Sequence, residues 1–344
     1  MQKVQKDTQT IHSINNEMSE IKLSVLDLCP ILSGESASES LRHPVALARF
    51  VEGLGFHRYW VAEHHDMEGI GSSSPEVLIG HIAGHTKTIR VGSGGIMLPN
   101  HSTYHMAEVF RTLEALYPGR IDMGLGRAPG SGSKATHALR RNVSLSADNF
   151  PEELEDLIRY FRDEVPLKAV PTDVKMPEIW MLGSSDFGGR LAAYRGLPFA
   201  FAQHFSGLPA REIIRMYIEE FRPSEFLQEP LPMMASHVIC AETDEEAEVL
   251  ASSSDVSFAK FFSTGKNMPL PTVEEAKLTP LSPMDKAQLR ASFPKFVGSP
   301  DSIRRQLEPY LKSGIKELII TCMVYDQKAR QRSYELVSQA LSRR

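Results

Sequence analysis

The sequence predicts a (β/α)8 TIM barrel of the α/β class, with an insertion between helix 7 and strand 8. Three observations lead there. Short apolar runs rich in β-formers alternate with longer stretches of helical periodicity, as parallel strands joined by crossover helices require. Eight strand–helix units can be counted, which fits a closed barrel better than an open doubly wound sheet. The 344 residues also accommodate a barrel of roughly 250 residues with insertions.

The first strand is Lys22 to Leu28 (KLSVLDL). A helix follows His43-Pro44, with Val45, Leu47, Ala48, Val51 and Leu54 on one face. The second strand is Tyr59 to Ala62, and the next helix opens at Ser74-Pro75, a cap followed by proline at the first helical position. The third strand begins at Ile89 and runs through glycines to Leu98. A helix over Thr103 to Leu116 and a turn at Tyr117-Pro118-Gly119-Arg120 lead to the fourth strand, Ile121 to Leu125. A Gly/Ser-rich connection then runs from Gly126 to about Ala147, before a helix from about Glu152 to Arg162. The fifth strand is Glu178 to Leu182, with its helix starting near Asp186, and the sixth is Pro198 to Ala202, with a helix over Leu208 to Phe221. The seventh strand is Met233 to Ala241, after which Thr243 and Glu246 form a capping box. Residues from about 257 to 296 carry many Pro, Lys and Ser and break the rhythm, as an insertion able to act as a lid or form short helices. Ser299-Pro300 opens another helix, Glu317 to Met323 is the eighth strand, and Asp326 to Leu341 closes the chain.

Residues 1–21 are polar and read as a flexible N-terminal extension, leaving 22–344 as one barrel domain. There are 38 Lys and Arg against 43 Asp and Glu, a net charge of −5 with the signs interspersed. That pattern excludes a nucleic-acid footprint and a polybasic membrane patch. No apolar run reaches membrane-spanning length, and the first residues lack the apolar core of a signal peptide, so a cytoplasmic protein is expected. Cys29, Cys240 and Cys322 are few and far apart, which argues for buried thiols over a disulfide framework or a zinc site.

Barrel active sites lie at the C-terminal ends of the strands. Asp27, Glu63-His64-His65-Asp66, Ser93 to Gly95, His101, Gly126-Arg127, Gly183 to Gly189 and Gln203-His204 all fall there. The Glu-His-His cluster resembles metal ligands, but neighbouring strand residues point to opposite faces. There is no HExxH helix and no HxH on the first strand, so no metal is assigned. His65 reads as a satisfied structural group, whereas His64 at the pocket mouth is suited to moving a proton near neutral pH. The glycines of Val91-Gly92-Ser93-Gly94-Gly95-Ile96 are costly in a strand, and fit either close approach of a flat ligand or a bulge. In Gly183-Ser184-Ser185-Asp186-Phe187-Gly188-Gly189-Arg190, hydroxyls, free backbone N–H groups and a helix N-terminus make an anion site. Arg127 adds a guanidinium for the same phosphate.

Three segments, AEHHDMEGIGSSSPEVLIGHIAGHTKTIRVGSGGIMLPNHS, LEALYPGRIDMGLGRAPG and IWMLGSSDFGGRLAAYRGLPFAFAQHF, resemble the bacterial luciferase-like flavin monooxygenases, in particular the alkanal-monooxygenase-like branch. The resemblance runs from about Leu23 to the C-terminus. It implies a barrel binding reduced FMN supplied by a separate flavin reductase, with O2 forming a peroxyflavin that oxygenates a small organic substrate. By the same resemblance His64 is catalytic and Ser93, Gly94 and Gly95 pack against the isoalloxazine, with a non-proline cis peptide among them. Arg127, Ser184, Ser185, Asp186, Gly188 and Gly189 surround the phosphate, and a homodimer through the helices near strands two and three is expected.

Two departures bear on substrate more than fold: PGSGS after Ala128 lacks an acidic residue near Gly132, and Ser102 to Met106 is more polar than the branch pattern. The alternatives are a deazaflavin (F420)-dependent oxidoreductase, a non-catalytic flavin-binding protein, and a barrel hydrolase using a metal or the paired carboxylates Asp27 and Glu63. Retention of His64 favours an enzyme over a binding protein.

Overall fold

In the computed structural model, which describes residues 21–128, 132–139 and 149–342, eight parallel strands close into a barrel. They are β1 (Lys22–Asp27), β2 (Arg58–Val61), β3 (Arg90–Met97), β4 (Ile121–Gly126), β5 (Glu178–Gly183), β6 (Phe199–Ala202), β7 (Pro232–Cys240) and β9 (Glu317–Thr321); a short β8 (Lys295–Gly298) lies outside the ring. Neighbours in sequence pair from β1 to β7, β7 pairs with β9, and β9 with β1. Each predicted strand is present, with its ends displaced by no more than two residues.

Every residue of β2, β4, β7 and β9 is buried, because helices cover the outside of the sheet and side chains fill the inside. Alternation divides the two. Val25, Tyr59 and Val61 join the large core beneath the helices, while Leu26, Trp60, Trp180 and Ile319 join a smaller cluster inside the barrel.

The barrel floor is ionic. Arg58 donates to Asp122 (2.8 Å), Glu178 (2.9 Å) and Glu317 (3.1 Å), Arg90 also holds Asp122 and Trp60 Nε1 donates to it at 2.9 Å. These charges sit at the first or second positions of their strands, the end opposite the predicted site. Sequence analysis assigned none of them.

The insertion is shorter than expected and carries short helices, one of the two readings of the sequence. The helix after β7 runs over Asp244–Thr264, so residues 257–264 belong to it, and helices Val273–Leu278 and Pro283–Ser292 follow. Each short helix has its own N-cap: Thr272 with a capping box to Glu275, and Ser282 accepting from the Asp285 N–H. β8 then pairs with His237–Cys240, of which Val238, Ile239 and Cys240 extend beyond the pairing of β7 with β9. A backbone edge that would otherwise stay unpaired is thereby satisfied. The insertion is fastened beside the barrel mouth by Leu270 N–H to Ile31 O (2.8 Å), Ser33 N–H to Leu270 O (2.9 Å) and Gly69 N–H to Asn267 O (3.3 Å).

The connection after β4 contains a helix, Ser133–Leu139, where an irregular chain was expected. Residues 129–131 and 140–148 of that connection, and residues 1–20 of the expected extension, lie outside the described residues. Ile21, assigned to the extension, packs against the core. All three cysteines are buried and free, and no helix among the described residues is long and apolar enough to cross a membrane.

Candidate active site

A cavity of about 390 Å³ opens at the C-terminal ends of the strands, within the range of small-molecule sites. Leu26 and Leu28 from β1 and its exit, Trp60 and Ala62, Gly94 and Gly95, Gly126 and Arg127, Leu182 to Ser185, and Ala200, Ala202 and His204 line it.

His64 follows β2 and lines this cavity; its Nδ1 is buried without a hydrogen-bond partner among the described residues. Burial pushes its imidazole down to about 4, so the ring is neutral at physiological pH. His65 does not line the cavity. Its Nε2 donates to Glu63 (2.7 Å), which also accepts from His101 Nε2 (2.9 Å) and the Met97 N–H (2.8 Å). Burial works to raise the Glu63 carboxyl, but His101, His65 and Met97 together hold it below the usual range. Asp27 is fully buried and accepts from Arg330 (2.6 Å), the Cys29 N–H (2.9 Å) and Tyr59. Its carboxyl too is held low: burial opposes ionisation, and the Arg330 charge with these hydrogen bonds prevails. Both carboxylates of the hydrolase alternative are therefore committed to structural partners, and neither lines the cavity.

The Gly94–Gly95 peptide is cis, and the register against β4 shifts between Gly94 and Ile96. The bulge expected as one reading of these glycines is thus present. Protein packing already requires them: a Cβ on Gly94 would lie 2.6 Å from Leu26 Cδ1, and one on Gly95 2.7 Å from the Gly124 carbonyl. Both glycines line the cavity. Ser93 does not; it is buried, and its Oγ donates to the Gly124 carbonyl at 2.9 Å.

Beyond β5, Ser184, Ser185 and Gly188 line the cavity. Ser185 is the N-cap of helix Asp186–Arg195 but makes no side-chain cap hydrogen bond, so its hydroxyl is not consumed by its own helix. Ser206 Oγ pins the turn by donating to the Ser184 carbonyl (2.7 Å). The Arg127 guanidinium lies over the Phe187 ring, 4.1 Å from its centroid, with no acidic partner among the described residues. Two expected members of this site do not line the cavity. Asp186 is an exposed i,i+4 partner of Arg190 (3.5 Å), and Gly189 lies against Met216 and Phe199. Of the expected residues, His64, Gly94, Gly95, Arg127, Ser184, Ser185 and Gly188 line the cavity.

Sequence reasoning placed His204 at a strand end but gave it no role. Its Nδ1 donates to the Ala235 carbonyl (3.1 Å), and its Nε2 is buried without a partner. Burial, reinforced by nearby His64, pushes this imidazole down to about 4. The only signal was its position two residues beyond β6. By contrast Tyr104, in the polar stretch noted above, hydrogen-bonds Glu108 (2.8 Å) on its own helix, away from the cavity.

His237 is also held neutral, its imidazole pushed well below the usual value by burial, with Nε2 accepting the Met323 N–H at 3.2 Å. Between about pH 4 and 6.5 the unfolded chain therefore binds protons that native His64 and His204 refuse, and His237, held well below its usual value, acts in the same direction. Their contribution to stability is complete above about pH 6.5 and is lost on acidification, by on the order of 1.4 kcal/mol per pH unit for each histidine. Urea midpoints measured from pH 7.5 to pH 5 should fall accordingly; a flat profile would contradict the neutral burial of these rings.

The family model described as luciferase-like monooxygenase matches residues 21–317. The chain belongs to the luciferase-like monooxygenase family. This family member is 44% identical over 330 residues to the uncharacterized protein YvbT of Bacillus subtilis, covering 94% of this chain and 98% of that one. It is 41% identical over 321 residues to a luciferase-like monooxygenase of Escherichia coli, covering 92% and 96%. The crystal structure of apo-MsnO8 superposes with a TM-score of 0.87 at 37% identity, covering 93% and 98%. More distant luciferase-like folds share the architecture alone. They include the oxygenating constituent of 3,6-diketocamphane monooxygenase from Pseudomonas putida, solved with FMN (TM-score 0.71, 18% identity, 94% and 98% covered), and an F420-dependent secondary alcohol dehydrogenase (0.66, 14%, 94% and 99%).

Proposed function

We propose that this protein is an FMN-dependent monooxygenase that takes reduced FMN from a separate flavin reductase and uses O2 to oxygenate a small organic substrate. One observation carries the reading. A single cavity is lined by a guanidinium and an imidazole nitrogen, neither of which has an acidic or hydrogen-bonding partner among the described residues, together with a serine turn and an apolar stretch.

Those residues fit the cofactor. Arg127, Ser184, Ser185 and the backbone at Gly188 would hold the phosphate as a charge-assisted anion site at a helix N-terminus. Gly94–Gly95 and Leu26 offer a flat apolar seat for the ring. Bound reduced FMN supplies the electrons that activate O2. The protein contributes a dry enclosure and, through neutral His64, an atom able to hold or move a proton there. Family membership supports the oxygenase class, and the FMN bound by the camphane monooxygenase constituent supports the cofactor.

The deazaflavin reading is kept as second, because an F420-dependent dehydrogenase shares this fold and a phosphate grip does not distinguish the two rings. A homodimer is proposed through helices Pro75–His85 and Thr103–Leu116, where Val77 (66% exposed) and Leu116 (63% exposed) present apolar side chains to solvent.

Oxygen uptake tests the proposal. With FMN, an FMN reductase, NADH and panels of aldehydes, aromatic compounds and thioethers, at least one substrate should raise uptake above the reductase alone. Its product should carry one oxygen atom derived from labelled O2. Hydride transfer from reduced deazaflavin without oxygen consumption would support the second reading instead.

A further inference from the structure

With the phosphate at Arg127 and Ser184–Ser185 and the ring over Gly94–Gly95, the cofactor occupies the β3–β5 side of the cavity. The facing wall comes from β6, β7 and β9. There Ala200, Ala202 and Ala235 stand where larger side chains would fill the barrel mouth, and Ile319 adds a further apolar surface. The result is a wall with little polar character.

Among the described residues, one buried polar side-chain atom on this wall has no partner: His204 Nε2. The residue is 6% exposed, so the atom is not satisfied by bulk water. Its chemistry is settled by the opposite ring nitrogen. The Ala235 carbonyl can only accept, so Nδ1 carries the proton and Nε2 presents a lone pair. A buried acceptor of this kind is satisfied only by a donor. Neither the apolar neighbours nor a carboxylate-bearing ligand supplies one.

We propose that His204 is a specificity-determining residue that positions the substrate, and that the substrate is a small, largely apolar molecule bearing an N–H or O–H group which Nε2 accepts. His64 acts on the opposite side, beside the ring. The assignment of the walls rests on the flavin reading, while the acceptor character of His204 does not.

The test uses two probes of the same ring, phenol, which has an O–H, and anisole, which has the methyl ether in its place. Binding is measured by titration of protein carrying nitrogen-labelled histidine, with and without saturating FMN. Phenol should bind about threefold to tenfold more tightly than anisole, and only phenol should shift the His204 Nε2 resonance. The preference should disappear in His204→Phe and persist in His204→Gln, whose amide oxygen can accept. A wild-type ratio of one, including no binding of either probe up to its solubility limit, overturns the proposal. So does an unchanged ratio in a folded His204→Phe. If the preference holds in protein without affinity for flavin, the cofactor reading fails and the acceptor stands. If FMN binds and the ratio is one, the reverse is true.

Discussion

Replacing His64 by alanine is expected to lower product formation on the order of 10²-fold or more while FMN still binds. The expectation follows from what the imidazole does not do. Its Nδ1 has no partner to lose among the described residues, and it is not part of the phosphate turn. Burial keeps it neutral with a value near 4, so at neutral pH it enters the reaction able to accept a proton. Positioned acid–base groups contribute about 10²- to 10⁴-fold to rate, and alanine removes that term without touching Arg127, Ser184 or Ser185. Mass detection of oxygenated product under reductase-coupled turnover, alongside an FMN titration, checks both halves. Undiminished product formation removes His64 from the chemistry.

Arg58→Met should destabilise the fold by about 3–5 kcal/mol, because it leaves buried carboxylates without their cation. Arg58 bridges Asp122 (fully buried), Glu317 (1% exposed) and the half-exposed Glu178 across the barrel floor. Burial disfavours its charge, yet the three carboxylates hold it protonated more firmly than usual. Burial already lifts the Glu317 carboxyl above its ordinary value despite Arg58. Without the cation, Glu317 would protonate more readily still, so the deficit of the variant against wild type should shrink on acidification. Denaturant midpoints for both proteins at pH 8 and pH 5 measure this. A loss below about 1 kcal/mol at pH 8, typical of an exposed pair, would show that the floor is not held by its charges.

The barrel was legible because strand and helix periods differ and alternate. Runs such as Ile121 to Leu125 and Met233 to Ala241 carry that signal without any tertiary information. β8 was not legible: four residues, Lys295–Gly298, lie in a Pro- and Ser-rich context and are a strand only because β7 extends beyond its pairing with β9. The floor cluster was invisible for a related reason. Arg58, Asp122, Glu178 and Glu317 are single charges scattered through four strands, joined only by closure of the ring.

At the site, residue types were legible and directions were not. Ser93, Asp186 and Gly189 belong to segments that do line the cavity, but the Ser93 hydroxyl and the Asp186 carboxylate have partners outside it, and the Cα of Gly189 lies against Met216 and Phe199. His204 shows the complementary failure. Its role depends on a hydrogen bond to Ala235, thirty-one residues away, that fixes which nitrogen is free.

The most direct measurement is fluorescence titration with FMN and riboflavin. The chain has two tryptophans; Trp60 lines the cavity, and Trp180 packs against it at a centroid distance of 5.4 Å. If the ring lies in this cavity with its phosphate at Arg127 and the serine turn, both flavins quench the emission. FMN then binds about 10- to 100-fold more tightly than riboflavin, and Arg127→Ala erases the difference. Emission unaffected by FMN or a deazaflavin, or equal affinity of wild-type protein for FMN and riboflavin, would contradict it.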